Sequence, residues 1–234
     1  MTETNIDTSQ HTGGDKEKVH AWSVWASKHL GAFRVLKKAG IIGKEEAGSY
    51  RNVAEHLLVV NASTNLLAKK LIEAGIPVDT RLVDLASILH DVGKRREKEL
   101  GISYEMEQKS GILEDILTKS GYSGSIIETA RYTGRVEDIY LGDREQDQAI
   151  NSRPIESLMV AYADARVRNV DVVPLEVARD KNIEKIPQDV DFYNSWYKFY
   201  SKVERRIFSL TKDFKPEELS SDNVIEMVKQ ESKK

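Results

Sequence analysis

Apolar residues recur along this chain at the three- and four-residue spacing of helices, and no stretch sustains the alternation of a half-buried strand. That pattern restricts the fold to an all-α architecture, a helical bundle. Its strongest case is the stretch 51–74, where Val53, His56, Val60, Ser63 and Leu67 fall on one face and Gly75 and Pro77 follow as stops. Upstream, a helix is expected over 16–39 with Val19, Trp22, Trp25, Ala26, Leu30 and Phe33 inward, then a glycine-bearing loop over 40–49.

Asp79 suits an N-cap, so the next helix runs from there to about residue 91. Shorter helices are expected over 104–119 and 125–133, with Gly121, Gly124 and Gly134 as punctuation. The polar stretch 142–153 reads as a loop. Pro154 belongs in the first turn of a helix reaching residue 169. Two more helices are expected, one rich in aromatics over 189–210 and one over 216–229. Residues 1–15 read as a disordered lead-in and 230–234 as a frayed tail. With no internal repeat and no long linker, the remainder, 16–229, is expected to be one helical domain.

Composition narrows the function classes. Of 234 residues, 40% are hydrophobic and 31% charged, as in globular proteins with a sizeable core. Lys+Arg (35) nearly balance Asp+Glu (38), so no global basic field suggests bulk nucleic-acid or membrane binding. The absence of cysteine excludes disulfides, thiolate metal sites and cysteine nucleophiles, and fits a cytoplasmic location. No apolar stretch approaches the ~20 residues that span a bilayer, and the N-terminus lacks the apolar core of a secretory signal.

The pentapeptide His90-Asp91-Val92-Gly93-Lys94 ends an apolar run, 82–89. Leu82, Leu85, Ala86 and Leu89 form a helical stripe that His90 directly follows. Adjacent side chains diverge in mid-helix, but at a helix end the backbone bends and both can reach one ion; Gly93 makes the bend inexpensive. Further ligands come from elsewhere: His56 on the inward face of its helix, and Asp164, whose helix face carries Ser157, Val160 and Ala161. A carboxylate on that face is costly to bury unpaired, and a metal ion removes the cost. The set His56, His90, Asp91 and Asp164 mixes nitrogen and oxygen donors, which suits a divalent Mn, Fe, Co, Ni, Zn or Mg ion. Such an ion acidifies water and polarises a phosphoryl group. Taken singly, each residue has an ordinary role open to it: His90 on a helix dipole, Asp91 in solvent, Asp164 paired with Arg166 or Arg168.

His56, then Leu89-His90-Asp91-Val92-Gly93-Lys94, then Ala163-Asp164, in that order on helices, resembles the HD-domain metal-dependent phosphohydrolases. The resemblance covers a motif core of 51–168, about half the chain. It implies an HD-domain-like bundle, with His56, His90, Asp91 and Asp164 as ligands of one divalent metal ion. It also implies a small phosphate ester, of nucleotide type, as substrate. The stretch 52–56 is further similar to the first motif of the bacterial 5'-deoxynucleotidase branch, in which an upstream arginine, here Arg51, precedes the histidine. The continuation Gly93-Lys94 departs from that branch. No histidine lies between His90 and Asp164, so a second metal of the cyclic-dinucleotide phosphodiesterase kind is not expected. That interval offers Glu128, Arg131, Arg135, Glu137 and Asp138.

Asp91 and Lys94 are the expected catalytic pair: Asp91 to help deprotonate water, Lys94 to hold phosphate oxygens. Lys94, Arg51, Arg131 and Arg168 are the candidate substrate contacts. His20 and His29 are set aside as ligands. The aromatic cluster 192–200 reads chiefly as core and helix packing, with a pocket or a homodimer surface as its other uses. Two rival readings remain: a catalytically silent HD domain that binds a nucleotide as a regulatory module, and a helical interaction module with a coincidental His-Asp pair.

Overall fold

The stretch expected at 51–74 is the longest helix in a computed structural model that describes residues 16–42, 53–102, 110–134 and 136–234. In chain order the helices are α1 (Lys16–Ser27), α2 (Leu30–Lys38), α3 (Val53–Glu73), α4 (Thr80–Leu89), α5 (Lys94–Glu99), α6 (Ile112–Lys119), α7 (Gly124–Arg131), α8 (Asp143–Ser152) and α9 (Ile155–Arg166). A two-stranded antiparallel hairpin follows, β1 (Val167–Arg168) and β2 (Asp171–Val172), then α10 (Leu175–Lys185), α11 (Val190–Phe208) and α12 (Ser221–Ser232). Among the described residues the fold is all-α apart from that hairpin.

α3 is the central rod. Leu57, Val60, Ala62, Leu67 and Leu71 are fully buried, because α4, α9 and α12 pack around it. α4 and α9 also touch each other, so the three helices close a triangle. The stop after α3 is a paired set of reversed hydrogen bonds: Ile76 donates to the Leu71 carbonyl and Gly75 to that of Ile72, both at 2.9 Å. This closure places Gly75 at a φ of 89°, which glycine adopts without a Cβ penalty. Asp79 caps α4 as expected, its carboxylate accepting from the Leu82 amide at 3.0 Å, a contact worth about 1 kcal/mol.

Several expectations need correction. The helix over 16–39 is two helices broken at Lys28 and His29: α1 packs on α12 and α2 on α4, and one straight helix could not reach both. The polar stretch 142–153 is not a loop but α8. Glu145 accepts from the Gly142 amide at 2.9 Å, and Gln146 and Ile150, four residues apart, are its buried side toward α11. Pro154 precedes α9 rather than opening it, and α9 stops at Arg166, where the hairpin begins. The segment 230–234 is no frayed tail through most of its length: α12 runs to Ser232, and Lys28 donates to the Glu231 carbonyl. α5 and α10 were not foreseen at all. The lead-in 1–15, most of the 40–49 loop and part of the 104–119 helix lie outside the described residues.

Trp196, Phe199 and Tyr200 of the aromatic cluster are buried, as core packing requires, whereas Phe192 and Tyr193 are partly exposed. No helix among the described residues is long and apolar enough to cross a membrane.

Candidate metal centre

Three helix ends meet at one point. His56 sits in the first turn of α3, His90 caps the C-terminus of α4, and Asp164 lies in the last turn of α9. Because these helices pack against one another, side chains distant in sequence converge. One carboxylate oxygen, Asp164 Oδ1, lies 3.1 Å from His56 Nε2 and 3.3 Å from His90 Nε2. The three ligand atoms all lie within 4.8 Å of one another. Donors at ~2.1 Å from a common ion and at right angles about it stand ~3 Å apart, so these separations suit ligands of a single ion.

His90 is at the centre. The buried side of α4 is Val83, Ala86, Ser87 and His90, so His90 lies within the buried face rather than beyond it. Its Nδ1 donates to the Ser87 carbonyl at 2.8 Å, which directs Nε2 at the carboxylates. That Nε2 is buried and makes no hydrogen bond, although Asp91 Oδ1 and Asp164 Oδ1 both stand 3.3 Å away. A buried nitrogen faced by two carboxylates and hydrogen-bonded to neither, with a second imidazole converging on the same oxygen, is how a metal donor looks without its ion, so the residues fit a divalent cation. His56 is arranged alike: its Nδ1 lies 3.2 Å from the Asn169 carbonyl and its Nε2 faces Asp164.

Asp91 flanks this group. It is buried rather than solvated, and its Oδ1 is held by Lys94 Nζ at 2.7 Å. The turn that carries it does not use the freedom of a glycine: Gly93 has a φ of −83°. What Gly93 supplies is room. A Cβ there would meet the Glu97 Oε1 at 2.9 Å and the Leu113 amide nitrogen at 3.3 Å.

The charges interlock. Burial pulls the His90 pKa down, but the Asp91 and Asp164 carboxylates outweigh it and push it up to about 9. Burial would raise Asp164, yet His90, His56 and Lys94 hold it well below the ordinary carboxylate value. Asp91 is likewise lowered, burial being outweighed by His90 and Lys94.

The remaining candidates are placed less centrally. Lys94, paired with Asp91, keeps 41% of its side chain exposed at the rim. Arg131 lies against Glu114, with Glu128 at 3.8 Å. Arg168 donates to the Val167 carbonyl at 2.9 Å and the Asp164 carbonyl at 3.4 Å, and stacks over Trp196. Arg166 turns away to the Val173, Leu219 and Pro216 carbonyls and the Tyr162 hydroxyl, so it is a structural tie. Arg51 and Arg135 lie outside the described residues.

Three participants were not foreseen from sequence. Ser87 and Asn169 act through backbone carbonyls, which leave no side-chain signature; only the turn-prone Arg168-Asn169-Val170-Asp171 could have pointed to the latter. Glu97 is a buried carboxyl against Gly93, raised by burial although Ser110 donates to it at 3.1 Å. Compared with protein-family models, curated proteins and solved structures, the chain matches none.

Proposed function

We propose that this protein is a metal-dependent phosphohydrolase of the HD-domain type, cleaving a small phosphate ester of nucleotide class. The observation that carries the reading is the meeting of two histidine Nε2 atoms on one Asp164 oxygen, at 3.1 and 3.3 Å, beside the buried Asp91–Lys94 pair. His56, His90 and Asp164 hold a single divalent ion, with Asp91 as the adjoining carboxylate. Bound there, the ion acidifies water and polarises a phosphoryl group.

The protein's own groups do the rest. Both imidazoles are oriented by backbone carbonyls, so the rings need not turn to offer Nε2 to an ion. Asp91, kept ionised by His90 and Lys94, takes the proton of the attacking water. Lys94 is the cation at the rim and meets the non-attacked phosphoryl oxygens. The C-terminal ends of α4 and α9 favour a cation at the cluster and outnumber the N-terminal end of α3, which opposes one.

Metal analysis of the purified chain, followed by a hydrolysis panel of nucleoside mono-, di- and triphosphates, cyclic nucleotides and an aryl phosphodiester with several divalent ions, tests this. One bound metal ion per chain and hydrolysis that both disappear in His90→Ala would support the reading. Metal bound without hydrolysis would favour the silent, nucleotide-binding alternative. Metal content unchanged in His90→Ala and Asp91→Ala, with a silent panel, would sink it.

A further inference from the structure

Both nitrogens of His56 are gripped by one continuous piece of chain. Asp164 Oδ1 meets Nε2 at 3.1 Å, and five residues later the Asn169 carbonyl meets Nδ1 at 3.2 Å. His90 finds its orienting carbonyl three residues back in its own helix, an acceptor that local helix geometry supplies. His56 takes its carbonyl from a residue 113 positions away.

That carbonyl is aimed by an unusual backbone. Asn169 has a φ of 58°, and among the described residues no other non-glycine residue has a positive φ. The pairs Val167↔Val172 and Arg168↔Asp171 leave a two-residue turn, Asn169-Val170. Turns of this length match the strand twist only with a positive φ at the first turn residue. Asparagine tolerates that region far better than a β-branched residue does. The hairpin is held in place by the buried Val167 and by the Val172 amide, which donates to Ser221 Oγ at 2.9 Å.

We propose that Asn169 is a positioning residue for the metal centre: its left-handed turn directs its backbone carbonyl to His56 Nδ1, so that Nε2 is the nitrogen offered to the ion. This rests on the metal-site reading above. Because His56 uses the carbonyl and not the side chain, glycine at 169 serves as well, whereas a β-branched residue turns the carbonyl away.

The test uses the full chain and Zn²⁺ alone. Asn169→Gly binds zinc within about twofold of the parent by calorimetry, and Asn169→Val binds about tenfold or more weakly. Ring-nitrogen NMR shifts of the zinc-loaded parent place zinc on His56 Nε2 and the proton on Nδ1. Zinc on Nδ1, undiminished affinity in Asn169→Val, or equal losses in the glycine and valine variants would each overturn the proposal. Should Asn169→Val fail to fold, the glycine variant and the parent's NMR decide. A parent that binds no zinc overturns the metal reading instead, and the His56 tautomer of the metal-free chain then decides this inference: a proton on Nε2 refutes it.

Discussion

Two buried polar clusters sit along the same pair of helices, α3 and α4, and only one gathers metal donors. About one and a half turns along α3 from His56, Asn61 accepts from Trp25 Nε1 at 2.8 Å. Its amide nitrogen reaches the Asp84 carbonyl and carboxylate and Ser87 Oγ at 2.9 to 3.1 Å. Here too a buried imidazole faces a carboxylate, His29 Nδ1 being 3.4 Å from Asp84 Oδ2. The His29 ring nitrogens, like His90 Nε2, make no hydrogen bond, yet this cluster offers one histidine and one carboxylate amid amide and hydroxyl groups whose hydrogen bonds centre on Asn61. The other brings two imidazoles and a carboxylate oxygen to one point. A buried His–Asp pair is therefore not in itself a candidate site; convergence of donors from three helix ends is what makes one.

Substitutions can break that contrast. The largest effect is expected from His90→Ala, which lowers metal affinity by more than about a hundredfold, while His29→Ala leaves metal content unchanged; elemental analysis checks both. Equal metal loss in the two would erase the distinction. Asn61→Ala strands the buried partners of its amide and should cost about 3 kcal/mol in urea unfolding, with the metal content of the folded fraction retained. Zinc at a hundred times its Kd should stabilise the parent by about 2.7 kcal/mol and Asp164→Asn hardly at all.

The smallest effect is in the pH dependence of the metal-free protein. His90 is raised from 6.5 to about 9, so its contribution is complete below pH 6.5 and is lost as pH rises through about 9. Asp91 and Asp164 are lowered, so theirs is present above about 3.8 and is lost as pH falls. Asp84 is lowered as well and adds to the acid side. His90→Gln should flatten the alkaline decline of the urea midpoint, and Asp84→Asn should leave that decline intact.

Legibility followed the range of the interactions. α3 and the Asp79 cap of α4 were readable because periodicity, caps and stops act over a few residues. α8 was missed because only Gln146 and Ile150 face inward from a polar decapeptide, too few to register as a stripe. The α1–α2 break was missed because no proline or glycine sits at 28–29; the demands of α12 and α4 impose it. At the site, the sequence marked the three donors that converge, His56, His90 and Asp164, and Asp91 beside them, yet it assigned Gly93 the wrong reason and left Glu97 unremarked among charged neighbours.

By itself, then, the sequence determined that the chain is helical, that His56 faces inward, and that His90-Asp91 ends an apolar helix. These follow from local geometry, in which side-chain direction depends on position along a helix. Only the tertiary structure decided that ligand atoms from three helix ends lie within 4.8 Å of one another, that Lys94 is tied to Asp91, and that carbonyls of Ser87 and Asn169 orient the two imidazoles. Those depend on which helices pack together and on backbone atoms that every residue carries, and residue identity alone encodes neither.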